Sequence, residues 1–95
     1  LFNLKNGVNA ETYERWACNT DLPIVRKLPS VRGFDVLRTT GLLGGGTAPF
    51  QYIEILQITG VEQLFNDIGS DLMQKVAAEF QSFADQPLFI TTQSL

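Results

Sequence analysis

The sequence predicts an α+β fold of the ferredoxin-like type, βαββαβ, with an antiparallel sheet carrying its helices on one face. Apolar residues recur at strand and helix spacing in the order strand, helix, strand, strand, helix, strand. The segment Phe50–Thr59 places Phe50, Tyr52, Glu54, Leu56 and Ile58 on one side of a strand and Gln51, Ile53, Ile55 and Gln57 on the other. Both sides are apolar, and such a strand needs cover on both. The helices suffice for one face of a small sheet. The other face is expected to meet a second subunit or to enclose a ligand. Two such sheets packed face to face make a dimeric α/β barrel, so a homodimer is the expected state.

Each element follows from local signals. Leu1–Lys5 reads as the end of a strand, and Asn6-Gly7 turns the chain. Asn9 is an N-cap for a helix from Ala10 to about Thr20. Tyr13, Trp16, Ala17 and Thr20 form its inner face, whereas Glu11, Glu14, Arg15 and Asn19 are expected to be wet. The segment 21–30 holds Pro23 and Pro29 and reads as a connection. A second strand runs from about Val31 to Thr40, with a bulge or close backbone approach at Gly33. The stretch 41–49 is glycine-dense. It lacks the Gly-Lys-Ser/Thr of a phosphate loop and leads into a strand, so it is a hairpin end or a flap. After the third strand, Val61, Leu64, Phe65 and Ile68 start an apolar stripe that Leu72, Val76, Phe80 and Phe83 continue. Gly69 as a helix stop and Ser70 as a new N-cap divide it into helices 61–68 and 70–84, or kink a single one. Asp85-Gln-Pro87 ends the helix, and Leu88–Thr92 is the last strand.

Composition narrows the function classes. The chain has 95 residues, which predicts one domain. It is 44% hydrophobic and only 18% charged, an ordinary globular mix that leaves more apolar surface than a monomer wants. A net charge of −3, with only the thin basic group Arg26, Lys27, Arg32 and Arg38, argues against nucleic acid as a partner. No apolar run reaches the ~20 residues of a membrane span, so no membrane partner is expected. With no signal segment visible, the expected location is the cytoplasm. The chain starts without Met inside its first strand, and a short N-terminal piece is expected to be missing. The single Cys18 cannot form an intrachain disulfide and reads as a half-buried structural thiol. With no His and one Cys, the usual zinc, haem and thiolate-cluster sites are gone. Neither a metal nor a cofactor is expected.

Carboxylates, tyrosines and arginines remain for chemistry. Glu54 stands out because its neighbours on the strand face are apolar. Desolvation would raise its pKa and make it a general acid or base. The alternative is an ion pair with Arg38 or Arg32, or a reach to solvent. Arg38 could bind an anionic or carbonyl oxygen, or pair with Glu54 or Asp35. Tyr52 offers a hydroxyl that needs a partner when buried. Glu54, Tyr52 and Arg38 are thus the catalytic candidates. Tyr13 and Trp16 on the inner side of the first helix, with Phe34 and Phe50 on the strands, are candidates for an aromatic ligand wall, or for plain core.

Four stretches together carry a family resemblance: Leu1-Phe-Asn-Leu-Lys5, Tyr13-Glu-Arg-Trp16, Ser30-Val-Arg-Gly-Phe-Asp-Val36 and Phe50-Gln-Tyr-Ile-Glu-Ile55. They resemble the RedY-like proteins over nearly the whole chain, without a catalytic signature. The resemblance implies a dimeric ferredoxin-like α/β barrel and a place in the biosynthesis of prodigiosin-like tripyrrole pigments. It implies a small aromatic, pyrrole-type ligand. Three roles stay open: a carrier of a bipyrrole-type intermediate, a cofactor-free enzyme using a carboxylate as acid or base, or an interaction module without a pocket.

Overall fold

The computed structural model describes residues 1–95. The chain opens with strand β1, Asn3–Leu4, and Asn9 caps helix α1, Ala10–Trp16. The Asn9 Oδ1 accepts the free backbone N–H groups of Glu11 at 2.8 Å and Thr12 at 3.4 Å. The helix does not stop at Thr20. It widens into a π-helical segment, Ala17–Asp21, and continues as α2, Leu22–Val25. The two-proline segment is therefore half helical. In the wide turn the Leu22 N–H bonds the Ala17 carbonyl, five residues back. Pro23, which has no N–H to give and would crowd a carbonyl in a regular helix, follows that loosened turn directly. Cys18 is exposed on the outer side of the segment, not half-buried.

Strand β2, Val31–Arg38, and strand β3, Tyr52–Ile58, form an antiparallel hairpin. The register shifts between Val31 and Gly33, so the bulge read from Gly33 is present. It resets the alternation: Val31 and Phe34 are both buried, although an unbroken strand would send them to opposite faces. From Phe34 onward, Phe34, Val36 and Arg38 lie opposite Leu56, Glu54 and Tyr52 on the helix side. Asp35 and Leu37 lie opposite Ile55 and Ile53 on the outer side.

Helices α3, Val61–Ile68, and α4, Asp71–Phe83, are separate. Ser70 caps the second, with its Oγ accepting the Met73 N–H at 3.2 Å. Gly69 stays in right-handed geometry, so the break is made by the Ser70 cap and not by a left-handed glycine. Leu64, Ile68, Met73, Val76, Phe80 and Phe83 face inward, while Phe65 and Leu72 of the expected stripe are exposed.

The last strand is displaced. Strand β4 is Ala84–Asp85, antiparallel to β1, and Leu88–Thr92 forms no strand. Gln86 turns the chain with φ of 44° ahead of Pro87. Past Leu88, which exchanges bonds with Leu1, no strand runs alongside to pair with it. The expected single sheet is realised as two pairs, β1–β4 and β2–β3, joined by the antiparallel bridge Phe2–Tyr52. The resulting order β4-β1-β3-β2 is that of the ferredoxin-like fold.

The core lies between sheet and helices in two clusters. One gathers Phe2, Tyr13, Ala17, Tyr52 and Ala84, and the other Val25, Val31, Phe34, Met73 and Val76. Trp16 and Val36 pack against both and mark the seam.

Candidate functional site

Glu54 sits at that seam, opposite Val36 on β2. Strand alternation turns it to the helix side, where α1 lies over it. The Tyr13 hydroxyl donates to Glu54 Oε1 across a long 3.4 Å. A second tyrosine and glutamate meet beside it in reverse: Tyr52, on the strand, donates to Glu14 Oε2, on the helix, at 2.7 Å. The two tyrosine rings lie 4.8 Å apart. Phe2 stacks on Tyr52 at 5.4 Å and meets Tyr13 edge-on at 5.5 Å. Trp16 lies 5.3 Å from Phe83, and its Nε1 donates to Glu79 on α4 at 2.7 Å.

The two glutamates are held in opposite states. Arg38 grips Glu14 with two nitrogens, its Nε at 2.8 Å. That fork, with the Tyr52 hydroxyl second, brings the Glu14 pKa down to about 2. The same contact raises the pKa of Arg38. Tyr52 is pushed up to about 12, by burial first and then by its bond to the Glu14 carboxylate. Glu54 has no such cation. Burial is the main cause that raises its pKa to about 7, and the charge of Asp21 adds to it. The long bond from Tyr13 offsets little of this. Tyr13 itself is fully buried, and its hydroxyl is pushed far above the normal phenol range by burial and by the carboxylates beside it.

Asp21 completes the group. It is 5% exposed, and burial alone lifts its pKa to about 6. Sequence reading placed it in a connecting segment and missed it. The signal was the four-residue spacing Tyr13, Ala17, Asp21, Val25, all of which are buried.

The residues proposed from sequence divide into groups. Tyr13, Trp16 and Glu54 come together between helix and sheet. Tyr52 touches this group through its ring but gives its hydroxyl to Glu14. Arg38 does not pair with Glu54, nor with Asp35, which instead meets Arg26 at 3.5 Å. Arg38 leans outward to Glu14, with 67% of its side chain exposed. It lines a cleft of about 660 Å³ beneath the β2–β3 connection, with Phe50, Glu14 and Tyr52 among its walls. Phe34 is in the second core cluster, away from Glu54. Tyr52 thus separates the open cleft from the Glu54 group. No set of three or more Cys, Asp or Glu side chains is placed to hold a metal ion. No helix is long and apolar enough to cross a membrane.

The strand order, the helices on one face and the buried site between them define a ferredoxin-like protein of the dimeric α/β barrel class. A family described as "REDY-like protein HapK" matches residues 1–95. The chain belongs to that REDY-like HapK family. Its structure is similar to the crystal structure of HapK from Hahella chejuensis, with a TM-score of 0.73 and 24% identity over 98% of this chain and 92% of that one. It is also similar to an ethyl tert-butyl ether degradation (EthD) family protein from Bacillus halodurans, with a TM-score of 0.68 and 20% identity over 87% of this chain and 81% of that one. Among curated proteins, none matches the chain.

Proposed function

We propose that this protein binds a flat, bipyrrole-type intermediate of prodigiosin-like pigment biosynthesis, and carries it or acts on it, as a homodimer. Family membership points to a biosynthetic role, and the ligand class is what the RedY-like resemblance implies. The observation that carries the reading is Glu54: a half-buried carboxyl that accepts from Tyr13, has no lysine or arginine partner, and has its pKa pushed up to about 7 by burial. Such a group accepts a hydrogen bond when ionised and donates one when protonated. The cleft on the other side of Tyr52, about 660 Å³, is open to solvent and mostly polar, with Glu14 and Arg38 among its walls.

The same carboxyl supports a second reading, a cofactor-free enzyme in which Glu54 moves a proton on the ligand. A general acid or base works best with a pKa near the working pH. Here Tyr13 would hold the Glu54 carboxyl in place, while Tyr52 and Arg38 would act at the cleft side.

Incubation of the purified protein with 2,2′-bipyrrole precursors, followed by absorbance, separates the readings. Turnover lost in Glu54→Gln with the fold intact supports the enzyme. Tight binding with unchanged starting material supports the carrier. Absence of both binding and turnover would retire the proposal for these compounds.

A further inference from the structure

Tyr52, Glu14 and Arg38 hold one another still where strand ends meet helix α1. Tyr52, at the start of β3, donates to Glu14 Oε2 at 2.7 Å. Arg38, at the end of β2, donates to the same oxygen from Nε at 2.8 Å and to Glu14 Oε1 from Nη2. Two parallel bonds fix the plane of a guanidinium as well as its place. An arginine side chain has five N–H donors. The fork uses two of them, along one edge. The pair on Nη1 and the second N–H of Nη2 have no partner in the chain. An exposed ion pair adds little to stability. What this one achieves is to hold a donor edge in a set orientation and leave it unused.

Arg38 is a wall of the cleft of about 660 Å³ beneath the β2–β3 connection. That cleft is a built surface. Its Phe50–Gln51 side is tied to β1 by Asn3, which donates to the Pro49 carbonyl at 3.2 Å and accepts the Gln51 N–H at 2.9 Å. The Thr39 hydroxyl donates to the Phe50 carbonyl at 2.6 Å across the hairpin. The connecting loop is closed on itself, with the Leu42 N–H on the Gly46 carbonyl at 3.0 Å and the Gly45 N–H on the Leu42 carbonyl at 2.9 Å. Charge decides which acceptor the free edge of Arg38 takes. Glu11 and Glu14 both line the cleft, against Arg38 alone, and Glu11 pairs with no cation. The local balance is one negative charge, so an anion is repelled and a neutral carbonyl oxygen is not. Phe50 offers such a ligand an apolar side for a ring.

We propose that this cleft binds a small neutral aromatic ligand through a carbonyl oxygen on its ring, with the free edge of Arg38 as the donor. The site lies across Tyr52 from Glu54. It goes beyond the reading given under Proposed function and does not depend on it.

The test uses the whole chain and three probes that share one ring: benzamide, with a neutral carbonyl; benzoate, an anion; and toluene, with no acceptor. Each is titrated by NMR and read on the Arg38 Nε–H, the backbone amides of Thr39 and Thr47, and the Glu54 carboxyl carbon. Benzamide should shift the first three saturably and leave Glu54 in place. It should bind about tenfold tighter than toluene, the worth of one charge-assisted hydrogen bond, and about threefold tighter than benzoate. Arg38→Met, at an exposed position that leaves the fold intact, should remove the advantage of benzamide over toluene. The absence of a saturable benzamide shift overturns the proposal, as does benzoate or toluene binding as tightly as benzamide. An unchanged benzamide affinity in Arg38→Met overturns it as well. Shifts confined to Glu54 would put the ligand in the other site and overturn it too, while leaving the proposed function standing.

Discussion

Two tyrosine–glutamate contacts of similar design carry opposite charge states, and one arginine makes the difference. Glu14 has Arg38 and is an anion at any ordinary pH, whereas Glu54 has only burial and the Asp21 charge. Replacing Arg38 with Met should therefore raise the Glu14 midpoint from about 2 towards the 4.5 of a free glutamate, read by carboxyl NMR. Glu54 makes a prediction of the opposite sign. Below pH 4.5 it is protonated whether the chain is folded or not, and it costs nothing. Between 4.5 and about 7 the unfolded chain ionises while the folded one keeps its proton, so stability falls as pH rises. Above about 7 both forms are ionised and the loss levels off. The loss is on the order of 2 kcal/mol after allowing for partial exposure. Asp21 adds to it in the same direction, starting from 3.8. Urea unfolding at pH 4.5 and 7.5 should show this drop, and Glu54→Gln should shrink it. A variant with the full drop would mean that Glu54 is not desolvated. Glu54 was legible in the sequence because period-two alternation set it among apolar residues. The Arg38 partner was not, because cross-strand reasoning considered only carboxylates on the sheet, and Glu14 reaches it from a helix.

At the scale of elements, the local rules that depend on neighbouring residues held. Asn9 and Ser70 cap where their side chains can reach free N–H groups, and Gly33 bulges the strand. Readings that depend on distant partners failed. A strand at Leu88–Thr92 needs another strand beside it, and none extends that far. The length of the first helix was misread because Pro23 signals a break in any regular helix, whereas a wide turn ahead of it lets the helix continue. That account is open to a direct test. A π-helical turn amounts to one extra residue in an α-helix. Deleting the exposed Asn19 should restore regular geometry and bring Pro23 into conflict with a carbonyl one turn back, costing about 3 kcal/mol. Adding Pro23→Ala to the deletion should recover most of that loss in thermal unfolding. If the deletion alone is harmless, the wide turn has another cause. The Asn9 cap is a simpler case: Asn9→Ala should lower stability by about 1 kcal/mol in the same assay.

At the scale of the whole molecule, the helices cover one face of the sheet and leave the other bare. Leu37 and Ile55 are 44% and 47% exposed on that outer face, with Ile53 between them half-buried. The sequence forecast this face correctly, because a strand with isoleucines on its second side cannot be sealed by helices on its first. The register then decides which residues compose it: Leu37 opposite Ile53, and Asp35 opposite Ile55. Contiguous apolar side chains on a sheet face are normally covered in a stable soluble protein. In the proposed homodimer a second copy would bring an identical face and close the pair by two-fold symmetry. A specific interface of this kind removes about 800 Å² per partner. Ile55→Lys puts a charge at the centre of that contact without touching Tyr13, Glu54 or Asp21 on the other side. The variant should sediment as a monomer at micromolar concentration and keep the wild-type circular dichroism, while Ile55→Val stays dimeric. If the dimer is needed only to seal the sheet, the Glu54 midpoint stays where it is in the monomer. A Glu54 midpoint that falls towards 4.5 on dissociation would show that the partner helps to exclude water from the site. A wild-type chain that sediments as a single copy at these concentrations would remove the barrel assembly, and the outer face would then need a different cover.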